Sequence, residues 1–320
     1  MKLNLIAPFR IVVLMLFAGM LYACRDIIEP SITDRQIIAE APGSNYQSAS
    51  YNVQFWWDEV DDALTYRLRV VSPRFDSVAR LVLDTVVKST TFSINLDPGQ
   101  YQWQVRAQNG SSQTAYSAPR SFTIFYSSIK QQKVQLLAPV NGLLTNQANA
   151  SFQWGTLYGA TKYRLQIDTN SFADESTMVY NQVTPALQLN FNFLKDQSYQ
   201  WRVRAENDTA QAQWSAINNV IYDHTPPGKV TLSAPANNQT ISLPVNLQWS
   251  GVATASKYKI YLLKADSATA YNGAFPLTQS NTNYSFNLGT SGETVYWKVS
   301  AVDAAGNEGQ SSNLRHFTVQ

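Results

Sequence analysis

The chain carries little charge and few of the residues that catalysis or metal binding requires. Only 14% of its 320 residues are charged, against roughly 25% in typical soluble domains, and it has one cysteine and two histidines. A single cysteine excludes an internal disulfide. The histidines, His224 and His316, lie 92 positions apart with no neighbouring histidine or cysteine, which argues against a zinc site.

Motifs of the common enzyme classes are also missing from the sequence. It contains no nucleophile elbow, phosphate-binding loop or dinucleotide fingerprint, so we predict no catalytic residues, no resident metal and no enzymatic function. Beyond residue 23 the chain has 22 basic and 22 acidic residues and is therefore neutral. A neutral chain lacks the positive charge that general binding to nucleic acid requires.

The first 23 residues have the pattern of an export signal. Lys2 and Arg10 precede an apolar stretch of 13 residues that ends at Ala23, too short for a membrane span of about 20 residues. The segment Leu21-Tyr22-Ala23-Cys24 resembles the lipobox of bacterial lipoproteins, although Tyr22 replaces the usual small residue. This resemblance implies that Cys24 is lipidated and becomes the new N-terminus. The alternative is an ordinary secretory signal followed by an incidental thiol.

A unit of about 96 residues then occurs three times. Ala-Pro pairs with prolines 97 and 96 residues apart each precede an alternating strand that ends in Trp. A Tyr nine residues after that Trp opens another strand, and a later strand carries a second Trp. Such alternation is typical of half-buried strands, and no helical period stands out. The three sets are Trp57, Tyr66 and Trp103; Trp154, Tyr163 and Trp201; and Trp249, Tyr258 and Trp297.

Seven or so short strands in each repeat predict an all-β fold of two-sheet sandwiches. The strand-ending Trp, the loop to Tyr66 and the segment from Leu96 to Tyr101 resemble the fibronectin type III domain, which is immunoglobulin-like. The resemblance implies a tyrosine corner at Tyr101 and at Tyr199, whereas Val295 puts one in doubt in the third repeat. The segment from Asp303 to Asn307 predicts a hairpin turn in which Gly306 and Asn307 tolerate positive φ. We predict a signal peptide at 1–23, a tether at 24–38, fibronectin type III-like domains at 39–126, 134–222 and 229–320, and a semi-rigid Pro-Pro linker at 223–229.

One acidic loop follows the first Trp-ended strand. Its carboxylates are candidates for weak Ca²⁺ binding through oxygen ligands, with a solvated loop as the alternative. A glycosidase pair would need a cleft that the end of a sandwich does not supply. The four residues are Asp58, Glu59, Asp61 and Asp62.

Three aromatic residues are candidates for stacking on a ligand. Trp56 points outward by strand phase, where the other repeats carry Gln153 and Gln248. Trp214 and its counterpart Tyr116 precede the last strand of their repeats. An exposed ring can stack on a sugar or anchor a protein contact, and the alternative is packing within the chain.

Basic residues occupy the outward positions of the Tyr-led and second Trp strands. If those strands are neighbours, the residues share one sheet face, which suits acidic glycans or merely protects the sheet from stacking. They are Arg67, Arg69, Arg106, Arg164, Arg202, Arg204, Lys259 and Lys298.

The function expected from these features is that of a non-enzymatic envelope lipoprotein. It would be a spacer and a scaffold that binds a protein or glycan, held in the membrane by the lipid on Cys24. The expected location is the outer membrane, facing the periplasm or the cell surface. The alternative is a carbohydrate-capture lipoprotein of a glycan-uptake system that uses Trp56, Tyr116 and Trp214.

Overall fold

The computed structural model describes residues 29–320, which divide into two compact units after Gln132. The first unit contains one β-sandwich and the second contains two, each made of a three-stranded and a five-stranded sheet. The all-β prediction is confirmed, because the helical segments among the described residues are the short 3₁₀ turns Ile129–Gln131 and Glu175–Thr177. No described helix has the length and apolarity needed to cross a membrane. The predicted signal peptide and Cys24 lie outside the described residues.

Every sandwich contains eight strands in the same order. In the first they are β1 (Ala39–Ala41), β2 (Tyr46–Ser48), β3 (Asn52–Trp57), β4 (Thr65–Arg74), β5 (Ser77–Val87), β6 (Thr91–Asn95), β7 (Gly99–Gln108) and β8 (Arg120–Ile124). In the second they are β9 (Leu136–Ala138), β10 (Leu143–Thr145), β11 (Asn149–Trp154), β12 (Lys162–Asp168), β13 (Tyr180–Thr184), β14 (Gln188–Asn192), β15 (Gln197–Glu206) and β16 (Asn218–Tyr222). In the third they are β17 (Leu232–Ala234), β18 (Gln239–Ile241), β19 (Val245–Trp249), β20 (Ala255–Leu263), β21 (Leu277–Gln279), β22 (Asn283–Phe286), β23 (Thr294–Asp303) and β24 (Arg315–Val319).

Sheet topology repeats with the strands. The first sandwich has sheets of order β1-β3-β6 and β2-β8-β7-β4-β5, and the other two follow the same scheme. The short second strand of each sandwich runs parallel to the last one, and the neighbouring pairs in the rest of each sheet are antiparallel. The Tyr-led strand therefore lies beside the second Trp strand in every repeat, as predicted from the sequence.

The period-two pattern places large side chains between the two sheets. Phe55 packs edge-on against Trp103 at 5.2 Å between ring centroids, and Phe152 packs in the same way against Trp201 at 5.0 Å. The third sandwich has Leu247 in place of the Phe, and it is also fully buried. Burying such side chains contributes about 1.5–3 kcal/mol each, which makes this the main source of stability for each sandwich.

A Tyr hydroxyl forms the predicted tyrosine corner, at the loop before the second Trp strand, in two of the three sandwiches. Tyr101 donates to the carbonyl of Asp97 at 2.7 Å, and Tyr199 donates to the carbonyl of Lys195 at 3.1 Å. In the third sandwich Val295 occupies the position and is fully buried. This sandwich has no corner tyrosine at that position. Near the same loop, the hydroxyl of Tyr271 lies 3.3 Å from a carboxylate oxygen of Glu293. The expectation for all three repeats thus agrees with the structure.

Residues 29–38 of the predicted tether pack on the first sandwich rather than extending from it. Ile32 and Ile37 are buried, and the side-chain amide of Asn109 donates to the carbonyl of Pro30 at 2.8 Å. The apolar residues at Ile32 and Ile37 explain the docking, because burying them is favourable. The described part of the predicted tether is therefore docked on the first sandwich.

The linker after the second sandwich is fixed by the third one. The amide of Asn307 donates to the carbonyl of Asp223 at 2.8 Å, and its backbone N–H donates to Asp303 at 2.8 Å. The sequence predicted a turn here in which Gly306 and Asn307 tolerate positive φ. Gly306 does so at +94°, whereas Asn307 is a buried polar bridge.

Further along the linker, close backbone packing continues. The carboxylate of Asp196 accepts from the backbone N–H of His224 at 3.0 Å and from the hydroxyl of Thr225. At Gly309 a Cβ atom would lie 2.3 Å from the carbonyl oxygen of Pro227, so only glycine fits. The linker is thus held by side chains and backbone as well as by its prolines.

Candidate functional site

The outer faces of the three five-stranded sheets collect the basic residues singled out in the sequence, together with Tyr116 and Trp214. Arg67 lies directly opposite Arg106, and Arg164 opposite Arg204. In the third sandwich Tyr261 lies opposite Lys298. The basic residues of each repeat therefore share a face, as expected. We call these surfaces the first, second and third outer faces.

Trp214 is the centre of the second outer face. The guanidinium carbons of Arg202 and Arg204 lie 4.2 and 4.6 Å from its ring centroid, within the range of cation–π contact. Arg202 also lies 4.1 Å from the ring of Phe172, a residue that the sequence did not indicate. The ring of Trp214 is therefore engaged within the chain, in line with the packing alternative.

A buried carboxylate pairs with two arginines of the second outer face. Glu206 accepts from the Nε atoms of Arg164 and Arg204, each at 2.8 Å, and its side chain is only 5% exposed. Burial alone raises the pKa of Glu206, but hydrogen bonds and charge from the two arginines outweigh it, so the pKa lies below its usual value. Gln166, also buried, accepts from Arg202 at 2.7 Å.

The first outer face has a similar ring but a different carboxylate. The guanidinium of Arg106 lies 4.7 Å from the ring centroid of Tyr116, and that of Arg69 lies 5.8 Å away. Asp84 on the edge strand β5 accepts from Arg67 through both oxygens, at 2.7 and 3.0 Å. Hydrogen bonding from Arg67 is the main reason that the pKa of Asp84 is lowered.

On the third outer face the ring comes from the sheet itself. Tyr261 lies 5.1 Å from the ammonium of Lys298 and donates to Glu308 at 2.7 Å. Glu308 also accepts from Lys259 at 3.1 Å, and this hydrogen bond raises the pKa of Lys259. Ser311 stands at the position of Tyr116 and Trp214, so the loop supplies no ring.

A serine directly follows the ring position in all three repeats, and its constant spacing is a signal that the sequence contains. The hydroxyls of Ser117, Ser215 and Ser312 each accept from a backbone N–H of the second Trp strand, at 3.2, 3.0 and 3.1 Å. The partner carboxylates have no such signal, because they come from three different places in the fold.

Trp56 lies on the other side of the first sandwich, on the outer face of the three-stranded sheet. It is 43% exposed and stands opposite Thr91, whereas Phe55 and Trp57 beside it are buried. The predicted outward direction is therefore correct. Tyr116, in contrast, lies in a loop and packs against Arg106 on the outer face of the five-stranded sheet. These two rings therefore do not form one platform.

The acidic loop is partly neutralised by an arginine. The guanidinium of Arg35 lies 3.1 Å from a carboxylate oxygen of Asp61 and also binds Asp62. Asp58 and Glu59 are exposed. Within residues 29–320 no group of three or more His, Cys, Asp or Glu side chains is arranged to hold a metal ion, so the calcium interpretation gains no support.

Two small clefts are present in the second and third sandwiches. A cleft of about 290 Å³ in the second sandwich is lined by Val179, Phe191 and Tyr199, among others. One of about 270 Å³ in the third is lined by Lys229, Leu232 and Arg315, among others. Both lie below the size range of roughly 300–1,000 Å³ typical of ligand pockets. Neither includes any of the candidate stacking residues.

Comparison with known proteins found similarity to solved structures. No protein-family model matches the sequence, and no curated protein matches it. The chain is similar to the FN1–FN3 domains of chicken CNTN1 at 15% identity, over 89% of this chain and 97% of that one, with a TM-score of 0.40. It is also similar to fibronectin(III)-like modules of Clostridium thermocellum CbhA at 12% identity, over 58% and 94%, with a TM-score of 0.39.

The strand order within each repeat is the more direct observation. A three-stranded sheet faces a five-stranded one in the same order three times, with the Trp and Tyr positions of the resemblance buried between them. The chain is a tandem array of fibronectin type III-like sandwiches. The outer faces of the three fibronectin type III-like repeats differ in which residues supply the ring and the carboxylate.

Proposed function

We propose that this protein is a non-enzymatic, lipid-anchored scaffold of the cell envelope. Lipid on Cys24 would fix one end of the chain, and the three sandwiches would act as a spacer that presents a binding surface to a protein or glycan. The proposal rests on where the repeats place their aromatic and charged side chains. Aromatic side chains fill the space between the sheets, and most charged groups of the outer faces contact one another.

The joint between the second and third sandwiches supports a spacer. A freely jointed linker would let neighbouring domains fold back, whereas one bound by Asn307 and packed against Gly309 restricts that motion. Restricted joints preserve reach, which a spacer needs.

Lipidation is tested by following the thiol of residue 24. Cells that express the full chain are fed an alkyne fatty acid, and the membrane fraction is examined for labelled protein. We expect label and membrane association in the wild-type chain and loss of both in Cys24→Ser. An intact N-terminus with an unmodified Cys24, seen by mass spectrometry, would rule out the anchor.

One observation favours carbohydrate capture as a second function. Trp56 is 43% exposed at a position where the other two sandwiches carry glutamine. A glycan array probed with the full chain and with Trp56→Ala tests this function. Binding of neutral glycans that Trp56→Ala abolishes would favour capture, and an array without neutral-glycan binding would favour the scaffold.

A further inference from the structure

The first outer face carries more positive than negative charge. Its three guanidinium groups, Arg67, Arg69 and Arg106, have one carboxylate, Asp84, among them. Asp84 binds Arg67 through two hydrogen bonds and lies 3.7 Å from Nε of Arg69. Arg106 has no carboxylate within ion-pair distance in the described chain; its close neighbour is the ring of Tyr116, at 4.7 Å. With three positive charges and one negative charge, the face has an excess of two positive charges.

Glu206 marks one difference between the first and the second outer face. Glu206 and Gln108 both stand seven residues after the corner tyrosine of their repeats, at the end of equivalent strands. Glu206 binds two arginines, whereas Gln108 makes a hydrogen bond to Gln113 at 3.1 Å. Arg67 and Arg106 are the counterparts of the two arginines that Glu206 binds, so the first sandwich has both without the carboxylate on that strand.

We propose that the first outer face, formed by Arg67, Arg69, Arg106 and Tyr116, binds carboxylate or sulfate groups of an acidic polysaccharide. This rests on the scaffold function proposed above and names its ligand. A guanidinium presents parallel N–H donors that match two oxygens of a carboxylate or sulfate. Arg67 and Arg106 are cross-strand neighbours, and Arg69 lies two residues further along the strand, so the donors form a row.

The shape of the face favours a polymer over a small molecule. It is the outer surface of a five-stranded sheet, with its arginines on the neighbouring strands β4 and β7. A small ligand needs a pocket that buries most of its surface, whereas a polymer can bind weakly at several points along an open face. Nucleic acid is disfavoured because the chain beyond residue 23 is neutral, with 22 charges of each sign.

The test compares polymers that differ in charge. The full chain, purified in a neutral detergent, is titrated with polygalacturonate, dextran sulfate and uncharged dextran at low salt. We expect binding of at least one of the two charged polymers, weakening as salt is added, and no binding of uncharged dextran. Polygalacturonate and dextran sulfate separate carboxylate from sulfate as the recognised group.

Two variants locate the site, and a third controls for charge. Arg106→Gln removes an unpaired guanidinium and should weaken binding about tenfold. Gln108→Glu adds the carboxylate found in the second sandwich, leaves every arginine in place and should weaken binding by a similar factor. Lys130→Gln removes the same charge from an exposed residue of the same unit, away from the face, and should leave binding unchanged.

Several results would overturn the proposal. These are no binding of either charged polymer, equal binding of uncharged dextran, or a Gln108→Glu variant that binds like the wild type. Polyglutamate or single-stranded DNA bound more tightly than both polysaccharides would assign the face to a different class of partner. Acyl labelling of Cys24 is measured separately, so failure here leaves the anchor and spacer proposal standing.

Discussion

The second and third sandwiches build the same kind of outer face from different parts of the chain. In the second, the ring of Trp214 comes from the loop before the last strand and the carboxylate of Glu206 from the end of β15. In the third, the ring of Tyr261 comes from β20, and the carboxylate of Glu308 comes from the segment after β23. The comparison teaches that the two repeats share a ring and a carboxylate among basic residues, and that the residues supplying them can change.

Burial separates the two carboxylates most strongly. Glu206 is 5% exposed and Glu308 is 36% exposed. We expect Glu206→Gln to lower the free energy of unfolding of the second sandwich by about 2–3 kcal/mol, because two partly buried arginines lose their counter-charge. Glu308→Gln should cost the third sandwich about 1 kcal/mol or less.

Native-state hydrogen exchange read by mass spectrometry checks this difference, because its peptides report on each sandwich separately. Equal losses in the two variants would contradict the distinction by burial. Each variant should also leave the exchange of the other sandwich's central strands close to the wild-type rate.

The ring contacts should rank next. Trp214→Ala removes two cation–π contacts at 4.2 and 4.6 Å and should destabilise the second sandwich by about 1–2 kcal/mol. Tyr261→Ala removes longer contacts at 5.1 and 5.5 Å together with one hydrogen bond, and about 1 kcal/mol is expected. Trp214→Phe, which keeps a ring, is the matched control. A glycan array on which Trp214→Ala loses binding at unchanged stability would instead make the ring a ligand platform.

The corner tyrosine offers a smaller and sharper comparison. Tyr199→Phe removes the hydroxyl that donates to the carbonyl of Lys195 and should cost about 1 kcal/mol in the second sandwich. Tyr271→Phe in the third removes a longer contact to Glu293, at 3.3 Å, and should cost less. Exchange rates of backbone amides near residue 195 measure the first loss, and equal effects would argue against a special role for the corner.

Acid should weaken both faces through the same residues. The folded-state pKa values of Glu206 and Glu308 lie below the usual value, so their contribution is full above about pH 4.5 and is lost as pH falls through the folded-state pKa. We expect local stability in each sandwich to fall below that pH, by less than in the substitutions above. Glu206→Gln should flatten the pH dependence of the second sandwich alone, and a slope that persists there would assign it to other groups.

Period and spacing predicted most of this architecture. The positions of Trp154, Tyr163 and Trp201 were enough to predict paired strands, because alternation of apolar residues directly reflects burial between sheets. The tyrosine corner at Tyr199 followed from a resemblance in a short local segment. Features of this kind are local, so a sequence read one strand at a time reveals them.

Contacts between distant segments could not be predicted from local sequence patterns. The sequence indicated Arg164 and Arg204 on one face but not Glu206 as their partner, and it treated Asn307 as a turn residue. Arg35 was assigned to a tether, although it binds the acidic loop. In each case the partner is chosen by how strands and loops meet in space, which local period does not encode.

The bond from Asn307 to the carbonyl of Asp223 has a practical consequence for dividing the molecule. Composition would place a cut at the Pro-Pro segment, yet a fragment that starts at residue 229 leaves the amide of this buried asparagine without its acceptor. The third repeat is therefore best expressed together with residue 223 onward. The structural boundary of the third repeat therefore lies at Asp223 rather than at residue 229.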